Sequence, residues 1–140
     1  MAATDSDLAL INSGTLRSDK IHPPGPFKFR DLNQILPMLN PLIVVEISGE
    51  DLLATLENGV CMYPKWEGRF LQVGGMSFAF DPTKPPLQRV DPRFVRIGDQ
   101  YLELKTKYRL VTKAYMIAGK DGFDVMKRQK ILVRQFYFKQ

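Results

Sequence analysis

Pro41-Leu42-Ile43-Val44-Val45-Glu46-Ile47-Ser48-Gly49-Glu50-Asp51-Leu52-Leu53 is the stretch whose reading decides the fold class. Its first half is β-branched and apolar on both alternating sets, which predicts a strand buried on both faces from Pro41 to Ile47. Ser48 and Asp51 then stand at capping-box spacing, the signature of a helix start. Leu52, Leu53, Leu56 and Val60 follow on one helical stripe. A buried strand running directly into a capped helix is the clearest local signal in the chain.

Upstream, Leu8 to Ile11 reads as a short buried strand ending at the turn formers Asn12-Ser13-Gly14. His22-Pro23-Pro24-Gly25-Pro26 holds neither helix nor central strand, because proline fixes φ and lacks the N–H. Leu32, Ile35 and Leu36 then recur at helical spacing until Pro37, a helix of about two turns from Phe29 to Leu36. Downstream, Arg69 to Asp81 reads as one strand, with Gly74-Gly75 marking a bulge or a close backbone approach. Phe94–Ile97 and Tyr101–Leu104 flank Gly98-Asp99-Gln100, a hairpin signal. Tyr108 to Tyr115 alternates as a strand, and Ala118 to Gly122 is a tight loop. A short helix around Phe123 to Lys127 comes next, and Ile131 to Phe138 alternates again. Strands, hairpins and a few short helices in this order predict an α+β fold, a single layered domain of mixed β-sheet, rather than a parallel sheet.

The chain has 140 residues, 44% hydrophobic and 25% charged. That is one domain of ordinary composition, large enough to bury roughly 70% of its unfolded surface without disulfide or metal staples. Cys61 and His22 are the single cysteine and histidine, so no His-rich or Cys/His metal site is expected here. Apolar runs such as Leu42 to Val45 are far too short to span a bilayer. The start, Met1 to Asp7, lacks the basic and apolar regions of a signal peptide. The net charge is +5 and uneven: from Tyr101 onward ten basic residues face three acidic ones, against ten and twelve before it. Those charges are interleaved with apolar residues, the pattern of a solvated surface, so nucleic acid is not an expected partner.

Three polar loops carry what chemistry the residues offer. In Asn12 to Asp19, Asn12 brings an amide and Arg17 a guanidinium fork suited to phosphate or carboxylate, the alternative being a turn with a surface arginine. In Leu36 to Pro41, Met38 sits between prolines, where its sulfur either fills a gap or packs on a flat ring. In Tyr115 to Gly122, Tyr115 offers a stacking face and Asp121 an acceptor for ligand hydroxyls, the alternative being an αL turn in which Asp121 bonds its own backbone. There is no GxSxG, Walker A pattern or nucleophile–base pair.

Taken in order, however, these blocks resemble a known family. Asn12-Ser13-Gly14-Thr15-Leu16-Arg17, Leu36-Pro37-Met38, Glu46-Ile47-Ser48-Gly49, Phe70-Leu71-Gln72-Val73-Gly74-Gly75, Tyr108-Arg109-Leu110-Val111 and Gly119-Lys120-Asp121-Gly122-Phe123 are similar to the C-terminal domain of the 5′-nucleotidases. The family wording is close to N-G-G-G-[IL]-R, L-P-F, [EQ]-[LI]-[ST]-G, F-L-Q-V-[SG]-G and G-G-D-G-[FY]. Met38 stands where the family usually has a second aromatic, and Ser13, Thr15 and Lys120 replace glycines.

The resemblance implies that residues 1–140 are one such substrate-binding domain, short of the family's usual extent at both ends. Its role would be to hold the nucleoside part of a nucleotide. Asn12 and Arg17 would contact the substrate, with a backbone N–H near Thr15. Tyr115 would stack on the base opposite Met38, and Asp121 would accept from the ribose hydroxyls. Catalysis would belong to an N-terminal metallophosphatase domain carrying a binuclear divalent metal site, so this chain alone is expected to hold no metal and to lack hydrolase activity. The resemblance also implies a secreted, periplasmic or surface-anchored setting. The alternative is a non-catalytic nucleotide-binding or protein-interaction module that kept the fold.

Overall fold

A computed structural model describes residues 4–38 and 40–136. Its strands form two sheets. The larger contains β1 (Leu8–Asn12), β2 (Leu42–Ser48), β3 (Leu71–Gly74), β7 (Lys107–Lys113) and β8 (Lys130–Phe136), in the order β3-β1-β7-β2-β8. The smaller contains β4 (Met76–Phe80), β5 (Val90–Ile97) and β6 (Gln100–Tyr101). Every pairing is antiparallel except β1 with β7. The α+β reading therefore holds, with a second sheet that the sequence did not separate.

The strand–helix unit forms as read. β2 lies next to the edge and pairs on both sides, with Val44, Val45 and Ile47 fully buried. Helix α2 (Gly49–Val60) follows at once, and Ser48 Oγ accepts from the Asp51 N–H at 3.2 Å. Gly49 is required there: a Cβ would stand 2.2 Å from the Glu103 carbonyl oxygen. That close approach lets the Gly49 and Glu50 N–H groups donate to Thr106 and Leu104 carbonyls, satisfying donors that every helix start leaves orphaned.

The far end of α2 is held from outside the helix. Buried Arg89 donates through one guanidinium nitrogen to the carbonyls of Val60, Cys61 and Tyr63 at 2.7, 3.2 and 2.9 Å, a cation where the helix dipole is negative. Glu57, also buried, accepts from the Arg89 and Val90 N–H groups at 3.0 and 2.7 Å. Helix α2 is thereby fastened to the first residue of β5, and one core joins Leu8, Leu10, Ile47, Leu56 and Leu110 of the larger-sheet side to Val90, Val95 and Ile97 of the smaller.

Several element boundaries differ from the sequence reading. Arg69 to Asp81 is two strands in two sheets: Gly75, at φ 73°, turns the chain out of β3 and into β4, and only glycine takes that conformation freely. β5 starts at Val90, whereas its hairpin partner β6 is two residues long, because the chain leaves at Glu103 to receive the start of α2. β7 ends at Lys113; Tyr115 lies on the short helical turn α3 (Ala114–Ile117). The expected helix after Gly122 is a 3-10 turn, Asp124–Arg128. Helix α1 (Phe29–Ile35) forms, but none of its residues is buried, and Leu32 and Leu36 remain exposed. Residues 137 and 138 of the expected last strand lie outside the described residues.

Candidate functional site

Two chain reversals at one end of the larger sheet build the site. β1 delivers Asn12 and runs straight into a 3-10 turn, Ser13–Thr15. The turn lies against the loop before β3: Ser13 and Gly14 N–H donate to the Phe70 and Gly68 carbonyls at 2.7 and 2.9 Å. Gly14 and Gly68 allow this crossing, since a Cβ on Gly14 would stand 3.1 Å from the Gly68 Cα.

β7, parallel to β1 and beside it, delivers Lys113 and then Tyr115. After α3 the chain reverses through Gly119 at φ 73°, and Asp121 itself adopts the left-handed region (φ 55°, ψ 28°). Aspartate and asparagine are among the few side-chain-bearing residues that visit this region readily. Asn58, on α2, donates to the Asp121 carbonyl at 3.1 Å and holds the loop in place.

The side chains converge on one carboxylate. Tyr115 Oη donates to Asp121 Oδ1 at 2.9 Å, and Asn12 Nδ2 donates to Asp121 Oδ2 at 3.1 Å. Behind them Thr15 Oγ1 donates to Asn12 Oδ1 at 2.7 Å, and Lys113 Nζ donates to Thr15 Oγ1 at 2.7 Å. Of the two readings of this loop, the left-handed turn is present, but the Asp121 carboxylate takes its donors from Tyr115 and, across 109 positions of sequence, from Asn12 rather than from its own backbone. Asn12, Thr15 and Lys113 are buried, while Tyr115 and Asp121 are partly exposed. Two acceptor sites of a carboxylate with about four remain open to a ligand.

The bond to Asp121, with burial and the carboxylate's charge behind it, pushes the Tyr115 phenol up from its ordinary pKa, since each favours the protonated form. Burial, assisted by the charge of Arg17, pushes the Lys113 ammonium down. Its nitrogen lies 5.9 Å from the Tyr115 ring centre, within cation–π range.

The remaining candidate residues, Arg17 and Met38, make no hydrogen bond to this network among the described residues. Arg17 is exposed and donates through Nε to the Gly14 carbonyl at 2.8 Å, and its own N–H donates to the Ile35 carbonyl at 2.7 Å. The end of α1 is thereby tied to the loop after β1. Met38, three residues beyond Ile35, is 49% exposed. Among the described residues no hydrogen bond or ring contact joins it to Tyr115.

Beside the network a cleft of about 650 Å³ is lined by Ser13, Gly14, Gly68, Trp66, Tyr63 and Phe70, among others. Trp66 is fully exposed on its rim. A Cβ on Gly68 would come within 3.8 Å of Asp121 Oδ2, so cleft and carboxylate are neighbours. Lys113, Gly68 and Trp66 were not singled out by sequence. A lysine between Thr112 and Ala114 breaks no visible alternation, because Val111, Thr112 and Lys113 are all buried.

Residues 1–128 match the family model described as 5′-nucleotidase, C-terminal domain. The chain belongs to this family. The 5′-nucleotidase of Rattus norvegicus is 28% identical over 127 residues, covering 86% of this chain and 22% of that protein. A cell wall protein of Listeria monocytogenes is 27% identical over 136 residues, 94% of this chain and 17% of that protein. Among solved structures, the 5′-nucleotidase precursor from Thermus thermophilus superposes with a TM-score of 0.86 at 34% identity, covering 96% of this chain and 26% of that one. This 5′-nucleotidase C-terminal domain therefore spans a quarter or less of the rat and Listeria relatives. No helix among its described residues is long and apolar enough to cross a membrane.

Proposed function

We propose that this domain binds the nucleoside part of a nucleotide for a 5′-nucleotidase-like phosphoric ester hydrolase. The observation that carries the reading is the Asp121 carboxylate, held by Tyr115 and Asn12 with acceptor capacity to spare. An ionised carboxylate is acceptor-only, so its open lone pairs suit hydroxyl donors, and a vicinal diol supplies two at the right separation. Tyr115 offers a partly exposed ring for the base, worth about 1–3 kcal/mol by stacking. Met38 lies on the segment that follows α1, which Arg17 ties to this loop, and would cover the base from its other side. Arg17, with an exposed guanidinium, would meet the phosphate or ribose, and a backbone N–H near Thr15 would assist.

The chemistry would be done elsewhere. Among the described residues no three His, Cys, Asp or Glu side chains are grouped so that they could hold a metal ion. A binuclear metal centre would sit on an N-terminal metallophosphatase domain, the partner of this one in the same protein. Binding energy gathered on the nucleoside would then position the phosphate ester for attack there. The relatives' 5′-nucleotidase names and the Listeria cell wall protein support this substrate class and a secreted or surface setting.

Calorimetric titration with adenosine, AMP and UDP-glucose tests the reading, with Tyr115→Ala as control. Saturable binding of at least one of them that Tyr115→Ala weakens five-fold or more supports a nucleoside pocket. A folded protein that binds none at millimolar ligand overturns it in favour of a module that kept only the fold.

A further inference from the structure

Lys113 is the one residue of the network whose presence the fold does not explain. Its side chain is 5% exposed, yet no carboxylate lies within 4 Å of its nitrogen among the described residues. Burying an ammonium without an ion-pair partner opposes folding. Its neighbours on either side, Thr112 and Ala114, pack without help from its charge, and an apolar chain of similar length would fill the same space. Arg17, the charged group that acts on it most, is itself a cation.

The polar contact Lys113 does make has a direction. An ammonium has donors and no acceptor, so in the 2.7 Å contact Thr15 Oγ1 must accept. The single Thr15 proton is then committed to Asn12 Oδ1, also at 2.7 Å. That places the carbonyl end of the Asn12 amide at the back and its NH2 end forward, 3.1 Å from Asp121 Oδ2. Asp121 favours the same orientation while it is unliganded. Both contacts hold the amide, but only the Thr15 side fixes its carbonyl end, since Thr15 has no second proton to offer and its own oxygen is taken by Lys113.

We propose that Lys113 is a positioning residue of the ligand site, which through Thr15 holds the Asn12 amide as a forward-facing donor beside the Asp121 acceptor. The ligand group this pair fits is a hydroxyl, which can donate to Asp121 and accept from Asn12 at once. The inference rests on the nucleoside-binding reading for its ligand, but not for the relay itself.

The test has a ligand-free arm and a binding arm, both on the full 140-residue chain. In the first, the Asn12 side-chain NH2 signals are followed by NMR in wild type, Lys113→Met, Thr15→Val and Thr15→Ser. The expected result is slow rotation and solvent exchange in wild type and Thr15→Ser, and faster exchange in Lys113→Met and Thr15→Val. In the second, adenosine affinity is expected to fall about ten-fold in Lys113→Met, the equivalent of one hydrogen bond. It should fall no further when Lys113→Met is added to Thr15→Val. The thermal midpoint of Lys113→Met should stay the same or rise, which a packing role would not produce. Unchanged Asn12 exchange in Lys113→Met overturns the proposal, as does an affinity loss that simply adds to that of Thr15→Val. If the relay responds as expected but wild type binds no adenosine, the relay stands and the nucleoside reading falls.

Discussion

Replacing Asp121 by asparagine separates holding the site together from binding a ligand. Alanine is the poorer probe, because Asp121 sits at φ 55°, ψ 28°, where a residue without a compensating polar side chain loses about 1–2 kcal/mol. Asparagine tolerates that backbone. Its amide offers one oxygen to the two donors that now meet a carboxylate. Asn12 Nδ2 cannot reverse without depriving Thr15 of its acceptor, so it keeps the new oxygen. The Tyr115 hydroxyl can rotate and accept from the new NH2. Two charge-assisted bonds therefore become two neutral ones, a loss of roughly 1–2 kcal/mol in all at this partly exposed place. For a chain of this length that lowers the thermal midpoint by about 3–7 °C.

The ligand loses more. A ribose hydroxyl that donated to a carboxylate now finds the oxygen occupied and an NH2 beside it, which costs about 1.5–3 kcal/mol, or ten-fold to somewhat over a hundred-fold in affinity. The assay is calorimetry with adenosine and 2′-deoxyadenosine on wild type and Asp121→Asn, beside a thermal melt. Wild type should prefer adenosine by about ten-fold, and the variant should bind both alike. An Asp121→Asn protein that keeps the full preference for adenosine refutes the assignment of Asp121 to the sugar hydroxyls.

Other substitutions probe the same geometry from different sides. Tyr115→Phe keeps the ring and loses the hydroxyl, so adenosine affinity should change little, whereas Tyr115→Ala should lose about 1–3 kcal/mol by calorimetry. The Tyr115 phenol titrates above its ordinary 10.0 because of Asp121 first and burial second. Its contribution to stability is therefore complete below pH 10 and lost as pH rises through the folded value, and Asp121→Asn should lower that value in an ultraviolet titration. Glu57→Gln should lower stability by about 3 kcal/mol in urea unfolding, because one carbonyl cannot serve both the Arg89 and Val90 N–H groups that the carboxylate accepts; a loss below about 1 kcal/mol would show that Glu57 does not fasten α2 to β5. Arg128→Ala should leave the urea midpoint almost unchanged despite its contact with Asp51, because the arginine side chain is 70% exposed and its charge is screened by solvent. Burial raises the Asp51 pKa, but Arg128 and Gln129 outweigh it and hold it below 3.8. Stability from Asp51 is thus present above that value and lost as pH falls through the folded one, and Arg128→Ala should move the acid unfolding midpoint upward.

By itself the sequence determined the local units and the family. The strand from Leu42 and the helix capped at Ser48 were readable because their signals are local: burial on both faces of one strand, a hydroxyl three residues from the N–H it accepts, and a stripe at helical period. Asn12, Tyr115 and Asp121 also stand out as the polar or aromatic groups of their loops, and the order of six short blocks adds Thr15 and implies a role for all four. Tertiary structure decided how these residues act. That Asp121 is bonded by Asn12 follows from β1 and β7 lying side by side, a pairing between segments about a hundred residues apart. The division of Arg69 to Asp81 between two sheets turns on a single positive φ at Gly75, and a Gly-Gly pair reads equally well as a bulge. Lys113 was invisible for a similar reason. On a strand buried on both faces, alternation marks no side as the interior, and the hydroxyl its ammonium meets comes from 98 positions away. A sequence records which groups can donate and accept; only the folded chain sets the direction in which they do so.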